Sequence, residues 1–197
     1  GQDCKPWDRQ YHVRLVSTNK THENLCGGSL VNHQWILTAA HCWTTMFADI
    51  GVNPGPNTSQ EITDIRVFSP DHDIMLVKLK NLTPYPYIAL PKCLPCAPLK
   101  QHPQTLQCVD LPVVDCRSIR GNLKYYYPYV PYNNWLLSHH NINQHFIHLG
   151  KLLMYISGKI YAVVSGGHPS FAFAKPCYFV RVCPYIKWIR STIKNKP

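Results

Sequence analysis

CGGSLVNHQWILTAAHC, residues 26–42, opens and closes on cysteine and carries a histidine, His41, directly after two alanines. The apolar run Trp35-Ile36-Leu37 leads into it and reads as a β-strand bounded by turn residues. An imidazole at the end of such a strand serves one of two purposes. It makes a structural hydrogen bond to a buried partner, or it accepts and returns protons near neutral pH. Residue types alone allow both, so the partner has to be sought elsewhere in the chain.

Outward from this stretch, short β-rich runs alternate with Pro, Gly and Asn punctuation: YHVRLVS, ITDIRVFS, DIMLVKL and KIYAVVSGG. The chain therefore reads as all-β. The exception is PYIKWIRSTIK near the end, where Pro184 suits a helix start and Ile186, Ile189 and Ile193 recur at i, i+3, i+7. An amphipathic C-terminal helix over 184–195 is predicted. No internal repeat is visible, and the Pro-rich stretch LPKCLPCAPLKQHPQ, residues 90–104, is the best linker candidate.

The 197 residues are enough for one large β domain with a sizeable interior. No apolar run approaches the roughly 18 residues of a membrane span. Gly1-Gln2-Asp3-Cys4 has neither the basic nor the apolar region of a signal peptide, so a mature chain is expected. The nine cysteines are scattered, and only Cys93 and Cys96 have knuckle spacing, which points to disulfides rather than zinc. Sequons at Asn19, Asn57 and Asn81 agree with a secreted glycoprotein. The formal charge is +10, and its distribution is uneven: residues 1–98 carry eight Lys/Arg and eight Asp/Glu, residues 99–197 twelve and two. No acid follows Asp115. That imbalance makes a polyanion such as a glycosaminoglycan a candidate partner, against the plainer reading of a basic, soluble surface.

CGGSLVNHQWILTAAHC resembles the trypsin-like serine proteases of the chymotrypsin fold, in the trypsin and tissue-kallikrein branch. HDIMLVKL resembles the strand that supplies the triad aspartate, and VRVCPYIKWIRSTI the family's last strand and helix. The resemblance runs from DCKPW to the end of the chain. It implies a single trypsin-like domain over 1–197, built of two packed Greek-key β-barrels (about 1–95 and 105–183) and a helix over 184–195. It also implies that His41 stands at the general base, Asp73 at its orienting carboxylate, and Ser165 on the strand that lines the substrate. A carboxylate in that place fixes the tautomer of the base and stabilises the imidazolium.

The nucleophile breaks the pattern. The family's G-D-S-G-G-P motif is absent, and counting back from Ser165 through SGKIYAVVS puts its serine position at Gly150, which has no side chain to attack a carbonyl. Ser157, eight residues before Ser165, would need a seven-residue deletion to take over. Neighbouring positions change with it. The aspartate that receives the freed N-terminus is Leu149, an oxyanion-hole glycine is His148, the acid at the base of the specificity pocket is Gln144, and a glycine of its wall is Cys177. The expectation is a catalytically inactive homologue in which His41 and Asp73 are vestigial, acting by binding. A residual serine hydrolase is the enzyme-class alternative.

Family pairing implies disulfides Cys4–Cys108, Cys26–Cys42 and Cys93–Cys183. It leaves Cys96, Cys116 and Cys177, among which Cys116–Cys177 is one arrangement and an intermolecular bridge through an odd cysteine another. SHHNINQHFIH, residues 138–148, lacks the spacing of a helical metal site, so no metal and no cofactor are expected, and proton sensing is the modest alternative. KYYYPYVPYNNW, residues 124–135, carries Tyr125, Tyr126, Tyr127, Tyr129 and Tyr132 around two prolines and is a candidate protein-binding surface. A protein partner through that loop or the altered cleft, or a polyanion on the basic second half, completes the expectation. Specific nucleic-acid recognition is not expected.

Overall fold

The computed structural model describes residues 5, 7–18, 23–45, 47–53, 55–69, 71–93, 113–114, 135–138, 153–156, 158–166 and 177–194. Eleven strands are distributed over them. Six close into a barrel in the order β1-β2-β3-β6-β5-β4: β1 (His12–Thr18), β2 (Glu23–Leu30), β3 (Trp35–Thr38), β4 (Phe47–Ile50), β5 (Thr58–Ser69) and β6 (His72–Leu79). Closure comes from β1, which pairs antiparallel with both β2 and β4, so no edge is left unpaired.

Local chemistry explains why the opening stretch bends as it does. Asn32 Oδ1 accepts from the backbone N–H of Gln34 (2.8 Å) and of Trp35 (2.6 Å), closing the turn between β2 and β3. Gly28 is required by close packing, because a Cβ there would stand 2.5 Å from Ile36 Cγ2. Thr38, buried at the end of β3, donates its hydroxyl to Gly27 O at 2.8 Å. β6 reads as a nearly continuous apolar run because it is covered on both faces, and Ile74, Met75, Leu76 and Val77 are all fully buried.

The other five strands form an antiparallel sheet in the order β7-β8-β11-β10-β9: β7 (Val113–Val114), β8 (Trp135–Ser138), β9 (Leu153–Ile156), β10 (Lys159–Gly166) and β11 (Cys177–Arg181). This sheet is what the described residues show of the expected second barrel. After β11 the chain makes a 3-10 turn, Cys183–Tyr185, and enters α1 (Ile186–Lys194), inside the predicted 184–195. Ile189 is fully buried and Ile186 and Ile193 partly so, as their spacing predicts.

One apolar core joins the two halves. Ile160, Val163, Val180, Val182 and Ile189 belong to the same buried cluster as the barrel residues Leu30, Ile36 and Val77. Ile160 N–H donates to Ala89 O at 3.1 Å where the chain leaves the barrel. The disulfide Cys93–Cys183 ties that exit to the base of α1. Phe68, His72, Tyr185 and Trp188 form an aromatic group across the junction, with His72 Nδ1 and the Tyr185 hydroxyl 2.6 Å apart.

Candidate active site

His41 stands in a 3-10 turn, Ala40–Cys42, that follows β3. The Cys26–Cys42 disulfide fastens this turn to β2, and the buried Ala39 anchors its other end. The register of the next strand supplies the partner. Thr38 pairs with Met75 in the antiparallel β3–β6 ladder, so Asp73, two residues before Met75, falls beside the turn.

Asp73 accepts from three donors. The backbone N–H of His41 reaches Oδ1 at 2.8 Å, and Nδ1 of the ring lies 2.9 Å from Oδ2 and 3.2 Å from Oδ1. The Ser165 hydroxyl donates to Oδ2. Ser165 sits where β10 shifts register between Val164 and Gly166, an irregularity that re-aims a side chain next to a site. Sequence reasoning placed Ser165 on the substrate-lining strand but gave it no bond to Asp73. Nor did it find His72–Tyr185, whose members are 113 residues apart and share no motif.

The electrostatics follow from this geometry. The Asp73 hydrogen bond raises the His41 pKa above 6.5, outweighing the burial that lowers it, and the carboxylate charge adds to the rise. Burial pushes the Asp73 carboxyl up, but the His41 ring, the Ser165 hydroxyl and the His41 N–H together hold it below 3.8. An ionised carboxylate only accepts, so the proton of neutral His41 resides on Nδ1 and the lone pair on Nε2. The ring side chain is 43% exposed. Such an imidazole can take a proton from a nearby hydroxyl, water or thiol. Sulfurs of Cys26 and Cys42 and a ring nitrogen of His41 lie within 4.8 Å of one another, but the sulfurs are joined in a disulfide and offer no thiolate for a metal. A depression of about 320 Å³ is lined by Thr45, Phe47 and residues 61–65, and neither His41 nor Asp73 belongs to its lining.

The trypsin family profile matches residues 1–189. The chain belongs to the trypsin family. Trypsin-3 of Salmo salar is 28% identical over 235 positions, covering 99% of this chain and 92% of that protein. Trypsin V-A of Rattus norvegicus is 28% identical over 233 positions, covering 98% and 88%. Both alignments run longer than the chain's 197 residues, so deletions separate it from these trypsins. A solved structure titled "Structure of GrC" superposes with a TM-score of 0.78 over 99% of each chain at 21% identity, which establishes the fold.

The remaining sites divide by position. Asn57 is exposed just before β5. Asn81 is exposed too, and Thr83 of its sequon is buried, accepting from Tyr85 N–H at 3.3 Å. Cys177 begins β11. Outside the described residues lie Gly150 with Gln144, His148 and Leu149, Ser157, the tyrosines Tyr125, Tyr126, Tyr127, Tyr129 and Tyr132, Asn19, the Cys4–Cys108 pair, Cys96, Cys116 and most of the histidine-rich segment. Among the described residues no helix is long and apolar enough to cross a membrane.

Proposed function

We propose that this trypsin homologue is secreted, has lost peptidase chemistry and acts by binding a macromolecular partner through its altered cleft, tyrosine-rich loop or basic second half. One observation carries the reading: the sequence has glycine, Gly150, where the family's nucleophilic serine is expected. Leu149 beside it has no charge to receive an inward-folded ammonium, and an ammonium buried without a counter-charge is costly. Loss of a triad member alone lowers kcat by about four to six orders of magnitude, and what survives depends on the oxyanion hole and substrate binding. His148 and Gln144 alter both. Two intramolecular disulfides and exposed sequon asparagines support an oxidising, extracellular setting.

A second reading has its own support. The His41–Asp73 pair retains the contacts a working base needs, which a hydrolase with a displaced nucleophile would use. Incubation with a fluorophosphonate, followed by intact mass and peptide mapping, separates the two. The binding reading expects no adduct and no hydrolysis of peptide substrates. An adduct on Ser157 or any other hydroxyl, lost in His41→Ala, would establish the hydrolase instead.

A further inference from the structure

The C-terminal helix buries one face and turns a row of cations to solvent. Lys187, Arg190 and Lys194 are all exposed. At 3.6 residues per turn they fall within about 60° of one another and span about 10 Å along the axis. That arc lies about 100° to 160° around the axis from Ile189, which is fully buried. The chain beside a fourth cation, Lys92, is tied to the foot of the helix. Lys92, also exposed, precedes Cys93, whose Cα lies 5.6 Å from that of Cys183 at the foot of the helix. Among the described residues none of these four cations makes an ion pair, whereas the barrel's Arg14, Arg66 and Lys80 each have a carboxylate partner. The helix contains no acid, and Asp71, which is exposed beside His72, makes no ion pair with these cations among the described residues.

The geometry points to a binding site for a sulfated polysaccharide on the exposed face of α1, with Lys92 extending it past the helix base. This deepens the binding reading by naming a partner class, and it does not require the cleft to be inert. A flexible linear polyanion can lie along a straight row of cations, and an arginine guanidinium can hold a sulfate through paired hydrogen bonds. A membrane surface fits less well, because an interfacial helix inserts its apolar face, and here that face is committed to the core. Nucleic acid is the poorer match for a chain whose disulfides suit an extracellular setting.

The test is retention of the full chain on immobilised heparin as sodium chloride is raised, with fluorophosphonate labelling of the same preparation reading the cleft separately. The wild type is expected to elute well above the roughly 0.15 M of physiological salt. The double exchange K187E/K194E should elute below it and lower the slope of log K against log salt by about 1.4 to 1.8, at about 0.7 to 0.9 per lost contact. The charge-matched K5E/K80E, both exposed in the first half of the chain, should leave elution nearly unchanged. K187Q/K194Q, a milder change on an exposed face, repeats the comparison if the glutamates disturb folding. Wild-type elution below physiological salt, equal losses in the two doubles, or retention on phosphatidylserine vesicles without retention on heparin would each overturn the site. A fluorophosphonate adduct would overturn the non-catalytic reading and leave this one standing.

Discussion

His41 and Asp73 show how far a residue's environment, rather than its identity, decides its role. Their pKa values are displaced in opposite directions by one shared contact. The raised His41 value makes its proton a stabilising element that is fully present below pH 6.5 and lost as pH rises through the folded value. The lowered Asp73 value makes its charge stabilising above pH 3.8 and lost as pH falls through the folded value. The pair therefore contributes most between these two limits, and modestly, since the ring is partly exposed and screened. Asp73→Asn should bring the His41 pKa down, measured by NMR titration of the ring protons; an unchanged value would mean that Asp73 does not set it. The pairing itself was half legible. The motifs around His41 and Asp73 stood out in the sequence, but the third donor to Asp73, Ser165, depended on a register shift in β10 that no local pattern announces.

At the level of the element, α1 and the β2–β3 hairpin make opposite demands on their side chains. Ile189 has no exposed surface and belongs to the common core, so Ile189→Ala should cost about 2 to 5 kcal/mol, while Lys187→Ala should stay within about 0.5 kcal/mol. Urea unfolding measures both, and equal effects would contradict the assigned faces. The helix was readable from its isoleucine spacing because a 3.6-residue period with one buried stripe survives in a sequence of any fold. The small residue in CGGSL was not readable in the same way. Gly28 matters because Ile36 approaches it from the next strand, and that approach exists only once the hairpin is formed.

For the whole molecule, the decisive feature is that the two halves share one interior. Residues of β10, β11 and α1 are buried with those of the first barrel, and Cys93–Cys183 closes a span of 90 residues between the barrel exit and the helix. Thermal unfolding is expected as one cooperative transition by calorimetry, with calorimetric and van't Hoff enthalpies in agreement. Cys93→Ser with Cys183→Ser should lower the midpoint without splitting the transition, because the shared apolar cluster is intact. Two separate transitions in the wild type would show that the halves fold independently. The His72–Tyr185 bond belongs to this scale as well, since it joins β6 to the base of the helix.

The sequence by itself determined the fold class and the family, because alternating apolar runs, a spaced isoleucine stripe and long motifs are properties of neighbouring residues and persist through substitution elsewhere. The reading of Gly150 as the serine position, on which the proposed loss of chemistry depends, rests on the sequence count alone. Only the tertiary structure decided that Ser165 completes the Asp73 environment, that His72 meets Tyr185, and that Cys93, the neighbour of the first-half Lys92, is tied to Cys183 at the foot of the last helix. Each of those joins residues far apart in the chain. Their proximity comes from strand register, barrel closure and a disulfide, which depend on packing across the whole core and leave no local mark in the residues they bring together.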